Sequence, residues 1–241
     1  LKPSEKDPSA SVLTAELLQE AGLPDGVFNV VHGDKVAVDA ILEHPDIGAV
    51  SFVGSTPIAR YIYSMGTAKG KRVQALGGAK NHMIVLPDAD LDMAADAAVS
   101  AAYGSAGERC MAISAVVTVG DIGDDFIAAV KERLPKVKVG PGTEPDNEMG
   151  PLITREHRDK VASYLDSGAE QGAEVVADGR ETAPDGDGFF LGVSLLDKVT
   201  PEMDAYKDEI FGPVLSVVRA GTYGEAIKLV NENQYGNGVA I

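Results

Sequence analysis

Short apolar runs alternate with helix-length amphipathic segments along almost the whole chain, which leaves few ways to close the backbone hydrogen bonds. Asp7-Pro8 reads as an N-cap and first helical residue, followed by Val12, Leu13, Leu17 and Leu18 on one face until Gly22 stops the helix. Residues 27–31 then read as a buried strand, 34–42 as a helix, 47–53 as a strand, 56–65 as a helix opened by Pro57, and 73–76 as a short strand. Strands separated by helices of this length imply right-handed crossovers and a mostly parallel sheet with helices on both faces.

After Gly77-Gly78 the alternation resumes. Residues 83–86 read as extended, 91–102 as helical, 114–119 as extended and 124–134 as helical. Residues 140–150 form a loop, 155–171 a helix, 174–177 a strand and 183–188 a polar turn, and 214–219 with 225–231 add a last strand and helix. The expected fold is therefore α/β in two parts. The chain opens without an initiator Met and closes at Ile241 in what reads as the start of a strand, so it is expected to be an internal piece of a longer protein, with both parts incomplete.

Composition narrows the function. With 241 residues, 44% of them hydrophobic, the chain can bury a large core, yet no apolar run approaches the roughly 20 residues of a membrane span. A net charge of -16 leaves no basic stripe to neutralise phosphates, so nucleic acid is not an expected partner. One cysteine excludes an intramolecular disulfide or a cysteine-rich zinc site and suits a reducing, cytoplasmic setting. The four histidines, His32, His44, His82 and His157, show no metal-ligand spacing, and no metal is expected.

That cysteine closes the stretch Gly104-Ser105-Ala106-Gly107-Glu108-Arg109-Cys110, where small residues let a substrate approach sulfur and Arg109 favours the thiolate. An isolated cysteine is more often a buried structural residue, and the stretch gains meaning only in company. Phe52-Val53-Gly54-Ser55-Thr56-Pro57 carries a strand into a helix N-terminus, a natural pyrophosphate site or simply a capped helix, and no G-x-G-x-x-G follows any strand. Lys2-Pro3-Ser4-Glu5 sets a cation and a carboxylate three residues apart, suited to ribose hydroxyls, or ordinary surface. Asp208-Glu209-Ile210-Phe211-Gly212-Pro213 offers a carboxylate and an aromatic ring in a stiff segment, or a turn with one buried Phe.

In this order and at these separations, the four stretches and the Gly77-Gly78 turn resemble the aldehyde dehydrogenase family. The resemblance implies a Rossmann-like parallel-sheet domain, with residues 1–76 the C-terminal part of an NAD-binding domain, and a second α/β domain, with residues 77–241 most of a catalytic domain. It implies that Cys110 attacks an aldehyde and carries a thioester, its backbone N–H forming half of an oxyanion hole. The resemblance further assigns Lys2, Glu5 and Lys6 to the adenosine ribose, Ser55 to the pyrophosphate, Glu209 to the nicotinamide ribose and Phe211 to the nicotinamide region. A carboxylate at position 5 favours NAD over NADP.

Ala75, in Gln74-Ala75-Leu76-Gly77-Gly78, stands where hydrolytic members of the family usually carry a glutamate base. Residues 74–82 and the Arg109-Cys110 pair resemble the methylmalonate-semialdehyde branch, in which CoA is the acyl acceptor and carbon dioxide is lost. Arg109 is then expected to bind the substrate carboxylate, with Glu108 a nearby negative charge. Expected partners are a small aldehyde, CoA and, by resemblance, further copies in a homo-oligomer. The alternatives are a hydrolytic dehydrogenase with another base, or an inactive nucleotide-binding chain.

Overall fold

The computed structural model describes residues 1–241, whose backbone gathers into two compact units, Leu1–Gly78 and Ala79–Ile241. No helix is long and apolar enough to cross a membrane.

The first unit runs α1 (Ser9–Glu20), α2 (Lys35–Glu43), β1 (Ala49–Val53), α3 (Thr56–Ala68) and β2 (Arg72–Leu76). The two strands pair in parallel from Ala49 opposite Arg72 to Val53 opposite Leu76, with α3 as the crossover. Asp34 caps α2 by accepting from the Val36 N–H, while Leu42, Ala59 and Ile62 form a small core. Gly66 lets α3 lie on β2, because a β-carbon there would sit 2.6 Å from Val73 Cγ2.

Two expectations fail in this unit. Residues 27–31 form no strand: hydrogen bonds join Val31 and Asn29 to Leu1, and that is too little ladder to make one. Helix α1 starts at Ser9 rather than Pro8 and buries no residue within its unit, leaving Leu13 and Leu17 exposed.

The second unit contains β3 (Asn81–Val85), α4 (Leu91–Tyr103), β4 (Ile113–Val119), α5 (Gly123–Lys131), α6 (Arg155–Glu170), β5 (Glu174–Ala177), β6 (Ser194–Asp197), α7 (Asp204–Lys207), β7 (Val214–Ala220), α8 (Tyr223–Glu232) and β8 (Val239–Ala240). Its six strands lie in the order β5-β6-β7-β4-β3-β8, parallel except for the antiparallel β5–β6 pair. Strand β6 and helix α7 are additions to the expected elements.

Successive side chains of the central strands enter different cores, as the two-residue strand period requires. Ile84, Val117, Leu196 and Val218 join α6 residues Val161 and Leu165 and α8 residue Ala226. Their neighbours Val85, Val116, Leu195 and Val217 join Ala95 and Ala98 of α4 and Phe126 and Val130 of α5. A parallel sheet covered on both faces reads as continuous apolar runs, which Val116-Val117 and Val217-Val218 are. Each such Val or Leu contributes about 1.5–3 kcal/mol by burial. The loop that carries Cys110 leaves this rigid block between α4 and β4.

Candidate active site around Cys110

Helix α4 ends at Tyr103, and the chain then reverses through three consecutive left-handed residues, Ser105 (φ 53°), Ala106 (φ 55°) and Gly107 (φ 70°). For residues with side chains such backbone costs about 1–3 kcal/mol each, so it persists only where the surroundings dictate it. Here they do: Ala106 and Gly107 are buried, and a β-carbon on Gly107 would sit 2.3 Å from the Gly212 carbonyl oxygen. Gly212 in turn lies against α6, where a β-carbon would meet Val161 Cγ1 at 2.6 Å. Backbone contact therefore locks the cysteine loop to the Phe211–Pro213 segment. The outcome is an exposed Cys110 on a held backbone, not a buried structural thiol.

Side-chain amides hold that backbone from the other side. Asn81, at the head of β3 and 2% exposed, donates to the carbonyls of Cys110 and Ala112, both at 2.8 Å, and accepts from the Gly238 N–H at 2.9 Å. Asn237 donates to the same Cys110 carbonyl at 2.9 Å. Asn81 and Asn237 were not singled out from the sequence. The available signal was the polar run Lys80-Asn81-His82 leading into an apolar strand, where a buried polar group must find partners.

The Glu209 segment is gripped by the residues just before Asn81. The Ala79 N–H donates to Glu209 Oε1 at 3.1 Å. The fully buried Lys80 Nζ donates to the carbonyls of Ala205 (2.8 Å) and Asp208 (2.7 Å). Burial pushes the Lys80 ammonium down to about 7, opposed by the nearby carboxylates of Asp208 and Glu209. Phe211 is 38% exposed in a left-handed conformation (φ 55°), and His157 Nε2 lies 2.7 Å from its carbonyl oxygen, which makes that nitrogen the donor.

Glu108 does not stand free beside Cys110. Its Oε1 accepts from the Ile153 N–H at 3.4 Å and lies 3.5 Å from His157 Nε2; burial raises its carboxyl above the usual range, against those two contacts. Arg109 forms no ion pair with Glu108. It is exposed, its Nε donates to Ser105 Oγ at 3.1 Å, and its guanidinium lies over Gly104, where a β-carbon would meet Nη1 at 2.9 Å. The arginine is thus braced at its Nε and carries no carboxylate of its own.

In the first unit, Lys2 Nζ donates to the carbonyls of Pro3 and Gly33, the latter at 2.8 Å, and lies 3.8 Å from Glu5 Oε2. Lys2 therefore braces residues 3 and 33, while Glu5 and Lys6 remain exposed. Ser55 is the extended N-cap residue of α3, and its side chain makes no cap hydrogen bond, which leaves the N–H groups of Thr56 and Ile58, Pro57 having none, without that partner. Lys2, Glu5 and Lys6 share no hydrogen bond with Ser55. Ala75, opposite Phe52 on β2, places no carboxylate there.

The structure thus brings an exposed cysteine on a strained, backbone-locked loop against the segment that carries Phe211 and Gly212. Residues 1–241 match the aldehyde dehydrogenase family throughout, and the chain belongs to that family. It is 59% identical over 244 residues to malonate-semialdehyde dehydrogenase of Pseudomonas aeruginosa, covering 100% of this chain and 49% of that protein. Malonate-semialdehyde dehydrogenase 1 of Geobacillus thermodenitrificans is 50% identical over 242 residues, covering 100% and 50%. The crystal structure of methylmalonate-semialdehyde dehydrogenase from Oceanimonas doudoroffii superposes with a TM-score of 0.97 at 57% identity, over 99% of this chain and 50% of that one. A Sinorhizobium meliloti 1021 structure assigned to the same activity and complexed with NAD gives 0.96 at 57% identity, over 99% and 49%. The chain spans about half the length of the curated relatives it matches.

Proposed function

We propose that this chain carries the nucleophile and part of the cofactor site of an NAD-dependent, CoA-acylating dehydrogenase of malonate or methylmalonate semialdehyde. Residues 1–76 are taken as the C-terminal part of the NAD-binding domain and 77–241 as most of the catalytic domain. The observation that carries this is the exposed Cys110 on a loop with two adjacent left-handed non-glycine residues, an investment of strain that a merely structural cysteine does not need.

Cys110 Sγ adds to the aldehyde carbon, and the Cys110 N–H donates to the oxygen as it gains charge. NAD, when bound, supplies the hydride acceptor. The uncapped α3 N-terminus at Ser55 fits a pyrophosphate, the exposed Glu5 and Lys6 fit the adenosine ribose, and Lys2 holds their segment. Glu209, oriented by the Ala79 N–H, is assigned to the nicotinamide ribose and Phe211 to the ring region. Arg109, with its Nη groups free of any protein carboxylate, is assigned to the substrate carboxylate.

The substrate's carboxylate leaves as carbon dioxide, its bonding electrons passing into the thioester enolate, which takes up a proton, and the acyl group transfers from Sγ to the CoA sulfur, releasing the Cys110 thiol. With alanine at position 75 no glutamate activates water there; a positioned base is worth roughly 10²–10⁴-fold, and a thiol acceptor, partly ionised near neutral pH, needs it least. Glu108 supports a second reading, since a carboxyl raised by burial two residues from Cys110 is a candidate base for hydrolysis. Cytoplasmic location and homo-oligomeric assembly belong to the same proposal by similarity. Mass spectrometry of the intact protein mixed with malonate semialdehyde and NAD, without CoA, tests it. An acyl adduct on the Cys110 peptide, absent in C110A, is expected; acylation surviving in C110A contradicts the assignment.

A further inference from the structure

We propose that Asn81 and Asn237 are positioning residues for the nucleophile, two side-chain amides that lock the Cys110–Met111 peptide plane and thereby hold the Cα–Cβ bond from which the Cys110 sulfur projects. The proposal rests on the reading of Cys110 as nucleophile. The Cys110 carbonyl oxygen receives two amide donors, Asn81 Nδ2 at 2.8 Å and Asn237 Nδ2 at 2.9 Å. A carbonyl has two lone pairs, and both are engaged. Its peptide plane cannot turn without breaking two bonds, so rotation about ψ of Cys110 is opposed, and with it any swing of the Cα–Cβ bond that carries the sulfur.

Every polar atom of the Asn81 amide is used. Its two N–H groups face the Cys110 and Ala112 carbonyls and its oxygen faces the Gly238 N–H, so only one orientation of the amide satisfies the network. One buried side chain thus joins the head of β3, the cysteine loop and the entry to β8, segments 29 and 157 residues apart. A fully satisfied buried network of this kind rigidifies what it touches.

Asn237 is exposed and held at φ 123°, a conformation unfavourable to any residue with a β-carbon. The β3–β8 pairing of His82 with Val239 anchors the chain just beyond it, and its Nδ2 also reaches Met111 Sδ at 3.0 Å. Four of the five non-glycine residues with positive φ, namely Ser105, Ala106, Phe211 and Asn237, belong to the cysteine loop or to segments bound to it. Such clustering is the pattern of strain kept for function rather than for stability.

The test uses the intact protein with wild-type, N237A and N81A forms, reading the single-turnover rate of NADH formation, KM for NAD, the thermal midpoint and acylation of the Cys110 peptide. Loss of one of the two bonds to the Cys110 carbonyl predicts acylation about 3- to 10-fold slower in N237A, with KM for NAD unchanged and the midpoint only slightly lowered. N81A loses more rate and also stability. N237A acylating at the wild-type rate, or losing rate only in proportion to unfolding, overturns the proposal while leaving the nucleophile assignment standing. A wild-type protein that forms no adduct on Cys110 overturns both.

Discussion

Gly107 lies against the carbonyl of Gly212 so closely that a β-carbon at position 107 would sit 2.3 Å from that oxygen. The cysteine loop and the segment bearing Glu209 and Phe211 therefore meet backbone to backbone, which only glycine permits. G107A adds a clash with main chain to an alanine forced to φ 70°. It is expected to lose more than 2 kcal/mol, roughly, of stability and most of its Cys110 acylation, read by thermal unfolding and adduct formation. Wild-type behaviour in G107A would mean that the loop is free to move away from Gly212.

Lys80 gives a pH dependence of definite sign. Its ammonium is pushed down to about 7 in the fold by burial, with Asp208 and Glu209 opposing, against the ordinary 10.5 of a solvated lysine. Between these values the unfolded chain binds a proton that the folded chain does not, so stability rises with pH from about 7 to 10.5 by at most about 1.4 kcal/mol per unit. Neutral Lys80 still donates to both the Ala205 and Asp208 carbonyls. Denaturation series at pH 7 and 9.5 are expected to show this rise in the wild type and not in K80M.

His82 acts over a lower window. Buried and hydrogen-bonded at 3.0 Å to the Tyr206 hydroxyl, its imidazole is lowered to about 4, chiefly by burial and slightly by the charge of Lys80. The unfolded chain takes up the proton first, so this contribution is present above about 6.5 and is lost as pH falls towards 4. The stability difference between wild type and H82Q is expected to shrink by about 1–3 kcal/mol from pH 7 to pH 4.5. A difference independent of pH would show that His82 does not titrate in that range.

The alternating architecture was legible because most elements announce themselves locally: Asp34 and Thr154 cap α2 and α6, and apolar pairs such as Val116-Val117 mark strands buried on both faces. Strand β6 was not, because its four residues begin with Ser194 and end with Asp197, whose carboxylate is satisfied by Arg219 at 2.6 Å across the sheet. Residues 27–31 have strand composition but little to pair with, which composition cannot reveal. Cys110, Glu209 and Phe211 could be picked out by resemblance. Asn81, Asn237 and Lys80 could not, since their roles arise from contacts 29, 127 and 125 residues away in the chain.

The alanine at position 75 and the exposed Cys110 together favour acyl transfer to a thiol over hydrolysis in the proposed reaction. The most direct measurement is NADH formation by the intact protein with malonate semialdehyde, with and without CoA, while the acyl product is followed. Turnover that requires CoA and yields acetyl-CoA is the predicted result. Rapid turnover to a free acid without CoA would contradict it and would turn attention to Glu108 as the base of a hydrolytic enzyme.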